Sequence, residues 1–240
     1  MGDSIVWLRA VTKDYGQGDV VVRALRGIDL TLDRGDFAAV AGPSGSGKST
    51  LLNVMSGLDR PSSGEVSLDG RDLTRLSRSE LSRLRLTRIG FVFQAYNLLP
   101  VLTAYENAEY VLMMQGVPAS ARRERVMGLL ELVGLGGMED RFPRELSGGQ
   151  QQRVAIARAI ASEPALILAD EPTANVDSKT AAALLDLMQQ LNEEKGVTFL
   201  FSTHDRKVMA RAGRLIRLVD GRIAYDGEAG SLEALDADEG

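Results

Sequence analysis

An apolar run, Phe37-Ala38-Ala39-Val40-Ala41, leads directly into Gly42-Pro43-Ser44-Gly45-Ser46-Gly47-Lys48-Ser49-Thr50, after which Leu51, Leu52 and Met55 recur at helical spacing. No other stretch restricts the fold as tightly. Residues 42–49 match the GxxxxGK[ST] phosphate loop. Glycines let the backbone curl so that successive N–H groups converge on one phosphate cluster. The helix that follows presents the positive end of its dipole to the same charge. Lys48 is placed to reach the β- and γ-phosphates, and the Ser49 hydroxyl to ligate Mg²⁺. A chance glycine-rich turn would not need a buried strand before it and an amphipathic helix after it.

The rest of the chain repeats the strand–helix alternation. Leu166 to Ala169 and Val197 to Phe201 are short apolar strands, and Ser178 to Glu194 carries Ala181, Leu184, Leu185, Met188 and Leu191 as a helical stripe. This order predicts an α/β protein with a mainly parallel sheet covered on both faces. In such sheets ligands sit beyond the carboxyl ends of the strands. One strand there ends in Asp170-Glu171. Asp170 is suited to hold Mg²⁺ through water, and Glu171 to polarise the attacking water as general base. Alone, the pair reads equally well as two solvated acids at a strand end; beside a phosphate loop it reads as a metal ligand and a base.

Residues from about 97 to 161 read as a helical insert, with Ser120 expected to cap a run through Val126, Leu129, Leu130 and Val133. The first 35 residues read as β-rich, and residues 228–240 as an acidic, loosely held tail. The net charge is −5, which gives no basic signature of a nucleic-acid binder. The absence of cysteine excludes a disulfide framework and thiol chemistry. No secretory signal is expected at the start, and no run approaches the ~20 apolar residues that span a bilayer. Action at a membrane therefore implies a partner.

Leu146-Ser147-Gly148-Gly149-Gln150 precedes a helix through Arg153, Ile156 and Ile160. A serine and two glycines at a helix start make a second anion site. A phosphate loop followed by this pentapeptide resembles the ABC ATPase family, over residues 5–227 as a single domain. The resemblance implies a phosphate-loop NTPase fold with a RecA-like parallel core, an N-terminal antiparallel β subdomain (about 1–35) and an inserted helical subdomain (about 97–161). It implies ATP and Mg²⁺ as ligands and a homodimer in which each signature closes head to tail on the other chain's ATP. It also assigns roles along the chain. Tyr15 stacks on adenine, Gln94 senses Mg²⁺ and the transporter, Ala174-Asn175-Val176-Asp177 is the loop that reaches across the dimer, and His204 contacts the γ-phosphate. The family's close members carry Gly-Asn-Leu-Asp where this chain has residues 174–177.

Gly57-Leu58-Asp59-Arg60-Pro61, Ile89 to Gln94 and Asn97-Leu98-Leu99-Pro100 resemble the branch with macrolide exporters (MacB), lipoprotein-release ATPases (LolD) and the cell-division ATPase FtsE. That implies an integral-membrane permease partner, FtsX- or MacB-like, which holds this chain peripherally on the cytoplasmic side of the inner membrane, with force transmitted for export or lipoprotein release. An FtsE-like regulator of cell-wall remodelling is the alternative. A soluble ATPase for DNA repair or translation would instead bring fused cassettes, a coiled coil or a basic surface. The apolar stretch Ala95 to Leu102 reads either as a groove for a permease helix or as interior packing. Arg75, Arg78, Arg83, Arg85 and Arg88 read as a solvated helical face or a lipid or permease contact.

Overall fold

The computed structural model describes residues 4–17 and 20–229, leaving 230–240 of the acidic tail outside the described residues. The chain divides into two compact units, one running to Leu81 and resuming at Thr198, the other Ser82–Val197.

The first unit opens with two long antiparallel strands, β1 (Ser4–Gln17) and β2 (Val20–Asp33). Ile28, Leu30 and Leu32 are buried at alternate positions, the period-two signature of a sheet with one face in the core. β1 also pairs with β4 (Ser63–Leu68), which is extended by the short β5 (Arg71–Asp72). A second set centres on β3 (Phe37–Ala41), flanked in parallel by β8 (Thr198–Thr203) and β9 (Arg214–Val219). β9 turns back antiparallel into β10 (Arg222–Glu228). Ala38 to Ala41 are at most 2% exposed, as expected for a central strand covered on both faces. At the start of β3 the Phe37 ring meets Phe201 edge-on, with centroids 4.7 Å apart. The phosphate loop joins β3 to α1 (Lys48–Met55), and α7 (Arg206–Arg211) follows β8.

The second unit holds the parallel pair β6 (Ile89–Phe93) and β7 (Leu166–Asp170). Around them run α3 (Ala104–Met114), α4 (Ala119–Leu132), α5 (Gly148–Ala161) and α6 (Ser178–Lys195). The helix α2 (Arg78–Arg88) enters β6 directly. All five residues of the stripe expected on α6 are buried. Ser120 is not a cap: α4 begins at Ala119 with Pro118 at the N-cap position and no side-chain cap bond. Proline lacks an N–H and fixes φ near the helical value, so the chain enters the helix from Pro118, two positions before the expected serine cap. Of the expected run, Val126, Leu130 and Val133 are buried all the same, and Leu129 is part-buried.

Candidate functional site

In the first unit the loop curls because its glycines take conformations that other residues avoid. Gly42, Gly45 and Gly47 all have positive φ. A Cβ on Gly42 would collide with the Leu218 carbonyl oxygen of β9 and lie 2.9 Å from Ser46 Oγ, so only glycine lets the strand leave the sheet here. Lys48 Nζ donates to the carbonyls of Gly42 (2.8 Å) and Pro43 (3.0 Å), which pins the cation along the rim of its own loop. Ser44 and Ser49 are exposed, whereas Ser46 is 3% exposed. Ser46 Oγ is buried without a hydrogen-bond partner among the described residues. Buried hydroxyls are normally paired. An orphan hydroxyl inside a curl of glycine N–H groups beside a lysine fits a bound polyphosphate.

Tyr15 lies near the end of β1 opposite Val22 of β2, with Val21 and Val22 exposed beside it. Its ring is 38% exposed, with the Lys13 ammonium 4.7 Å from the centroid. Its hydroxyl donates to Asp59 Oδ2 at 2.6 Å, and burial followed by this bond raises its pKa. One end of the ring is therefore anchored, a feature a lone tyrosine before a glycine does not disclose. His204 follows β8 and is exposed, held between Thr203 and Asp205, whose N–H donates to Thr203 Oγ1 at 2.9 Å and whose carboxylate caps α7.

In the second unit β7 ends in Asp170, with Glu171 immediately after it, and both are part-buried. Glu171 has φ 47°, in the left-handed region that non-glycine residues rarely occupy, and such outliers cluster at functional sites. The parallel neighbour β6 runs into Gln94, which is exposed. Among the described residues no cluster of three His, Cys, Asp or Glu could by itself hold a metal. The candidate donors Ser49, Gln94 and Asp170 are all hard oxygens. This suits Mg²⁺, which takes one or two protein ligands and completes its shell with phosphate and water.

The signature forms the start of α5. Ser147 is its N-cap, accepting the Gln150 N–H, while the Gln150 side chain accepts the Ser147 N–H at 2.9 Å. Ser147 is exposed, so this capped helix end faces outward. The second glycine has a further reason to be there. A Cβ on Gly149 would approach Thr180 Cγ2 of α6 closer than 3.0 Å, a separation real Cβ atoms essentially never show. Asp177 caps α6, accepting from the N–H groups of Lys179 and Thr180 and from the Thr180 hydroxyl at 2.6 Å. The Thr180 hydroxyl first, then its backbone N–H, hold the Asp177 carboxyl below the usual carboxylate range.

Residues 95–102 are mostly exposed or part-buried. Leu99 is 40% and Val101 78% exposed, which removes the interior-packing reading for those two side chains. On α3 beside them Tyr110, Met113 and Met114 are exposed as well. The organiser of this loop is Asn107, 1% exposed, a residue that no motif in the sequence marks. Its amide donates to the carbonyls of Leu99, Leu102 and Thr103 and accepts the Leu99 N–H. The signal for it is a polar residue on the buried stripe of α3, alongside Ala104, Ala108 and Leu112.

The profile of the ABC transporter family matches residues 25–174. A macrolide export ATP-binding/permease protein, MacB 1/2 of Paracoccus denitrificans, is 47% identical over 97% of this chain, which spans only 35% of that protein. The lipoprotein-releasing system ATP-binding protein LolD 1 of Rhodopseudomonas palustris is 47% identical over 92% of this chain and 98% of its own length. Among solved structures, a dimeric post-hydrolysis state of the ATP-binding cassette MJ0796 bound to ADP and Pi superposes with a TM-score of 0.87. It is 43% identical and covers 93% of this chain and 98% of its own. The fold expected from the sequence is therefore the one observed.

Proposed function

The chain belongs to the ABC transporter family, and on that premise we propose that it is the ATP-hydrolysing subunit of a membrane export or lipoprotein-release machine. The observation that carries the hydrolytic part is the loop at residues 42–49, three of its glycines at positive φ, its lysine across its own carbonyls and its buried Ser46 hydroxyl unpaired among the described residues. In this reading the loop N–H groups and Lys48 bind the β- and γ-phosphates, with Thr50 beside them at the start of α1. Tyr15 offers its ring to the base. Bound Mg²⁺ supplies Lewis-acid charge to the phosphate oxygens. Asp170, Ser49 and Gln94 would hold that ion, Glu171 takes the proton of the attacking water, and His204 steadies the transferring phosphate.

Two copies pair head to tail, so that the exposed Ser147 and the part-buried Gly148, Gly149 and Gln150 at the start of α5 close on the partner's nucleotide and Asp177 lies at the crossing. MJ0796 has been solved as a dimer. Among the described residues no helix is long and apolar enough to cross a membrane. In this reading contact with the membrane runs through a permease, at the cytoplasmic face of the inner membrane and by way of the exposed Leu99 and Val101 region. The names of the MacB and LolD relatives support this partner class.

The chain has no cysteine, which makes the dimer testable directly. Cysteines replacing the exposed Ser44 and Ser147 are expected to crosslink between chains only when ATP is present, most strongly with Glu171→Gln. Crosslinking that ignores ATP, or that forms within one chain, would overturn the head-to-tail assembly.

A further inference from the structure

The loop after β6 is held in an unusual shape by groups that the catalytic reading does not use. Tyr96 and Asn97 both have positive φ, 57° and 51°. Two successive non-glycine residues in that region persist only when their surroundings hold them there. Arg158 of α5 supplies part of the hold, donating through Nη1 to the Asn97 carbonyl (2.6 Å) and through Nη2 to the Tyr96 carbonyl (2.9 Å). Burial lowers the pKa of this guanidinium, the mark of a desolvated and therefore strong donor.

The same turn reaches the loop that follows Glu171. The Tyr96 hydroxyl donates to the Asn175 carbonyl at 3.0 Å, and the Asn175 side-chain amide donates back to the Gln94 carbonyl at 2.9 Å. A Cβ on Gly148 would lie 2.7 Å from the Tyr96 hydroxyl oxygen, so the signature glycine leaves room for this bond. At its other end the 171–177 loop is fixed by the buried Gln152 of α5, whose amide donates to the Pro172 carbonyl at 2.7 Å. A reciprocal pair of hydrogen bonds thus ties the segment bearing Gln94 to the segment bearing Glu171 and Asp177, and the start of α5 abuts it.

We infer that Tyr96 and Asn175 form a clasp that positions Glu171: the Tyr96 hydroxyl is a positioning residue through which displacement of the Gln94 loop changes the geometry of the base. The inference rests on the role of Glu171 proposed above. The hydroxyl is committed to a backbone carbonyl of the 171–177 loop, so its loss is expected to alter turnover and spare binding. One neutral hydrogen bond expressed wholly at the transition state corresponds to about threefold to tenfold in rate.

The test is steady-state ATP hydrolysis and nucleotide binding by the purified chain. Tyr96→Phe, which keeps the ring, is expected to lower kcat about threefold to tenfold with KM and nucleotide affinity within about twofold. Asn175→Ala is expected to do the same, and the double variant no worse than the stronger single, because both bonds belong to one clasp. Glu171→Gln run in parallel separates the two claims. If it abolishes turnover while Tyr96→Phe is as fast as the parent, the base assignment stands and the clasp falls. Additive losses in the double variant, or a Tyr96→Phe loss confined to KM, also overturn the clasp. Normal turnover in Glu171→Gln removes both.

Discussion

Gly149→Ala tests whether the second signature glycine is needed for packing inside the chain. The added methyl meets Thr180 Cγ2 closer than 3.0 Å, while the next atoms, Thr180 Cβ and Oγ1, stand at 3.6 Å, ordinary contact. The clash is thus with one methyl group. Thr180 is β-branched on α6, and its hydroxyl is committed to Asp177 at 2.6 Å, so it cannot rotate away without giving up that bond. Forcing one methyl into a packed helix contact costs about 1–3 kcal/mol. Alanine in place of glycine returns at most about 1 kcal/mol of helix propensity. Taking the middle of the clash range, a net loss of ~1 kcal/mol follows, which lowers the thermal midpoint of a chain this long by roughly 2–4 °C. Thr180→Ser removes the offending methyl and keeps the hydroxyl. The double variant Gly149→Ala/Thr180→Ser is therefore expected to recover most of the loss, with a coupling of ~1 kcal/mol in the double-mutant cycle. Calorimetry on the four proteins measures this. An undisturbed midpoint in Gly149→Ala, or a double variant as unstable as the sum of the singles, refutes the packing argument.

Glu171→Gln is expected to bind ATP as the parent does and to release phosphate about a hundredfold or more slowly, with the ATP-bound dimer accumulating on gel filtration; near-parental release sinks the base assignment. Tyr15→Ala is expected to weaken nucleotide binding by an amount equivalent to about 1–3 kcal/mol of stacking. Tyr15→Phe should restore the affinity while costing under about 1 kcal/mol of stability through the lost bond to Asp59; titration calorimetry that finds Phe as weak as Ala shows that the anchor, and not the ring face, matters. Asp177 has a folded pKa below its unfolded value. Its charge therefore contributes stability above the unfolded value of about 3.9, and that contribution disappears as the pH falls through the folded value. Asp177→Asn keeps a capping oxygen and cannot titrate, so its deficit in thermal midpoint against the parent should be present at pH 7 and shrink below pH 4; a gap that is constant with pH contradicts the charge argument.

The nucleotide chemistry was legible in the sequence because it is written in contiguous segments. A phosphate loop needs glycines, a lysine and a hydroxyl within eight residues, and Asp170 and Glu171 need only to end an apolar strand. The buried faces of α4 and α6 were legible for a related reason: a helix repeats its contacts every 3.6 residues, so Val126, Leu130, Leu184 and Met188 disclose their direction by spacing. Other features depend on segments that carry no such trace. Tyr96 and Asn175 are 79 residues apart and Tyr15 and Asp59 are 44 apart, and neither pair has a spacing that marks it. Gly149 reads as a phosphate-site glycine until Thr180 is placed against it, and Asn107 as a polar helix residue until three carbonyls converge on its amide. A hydrogen bond or a steric limit between distant segments depends on where the whole chain sets two backbones. Residue order alone was enough to propose which groups bind phosphate; the tertiary structure decided which groups hold those segments in place.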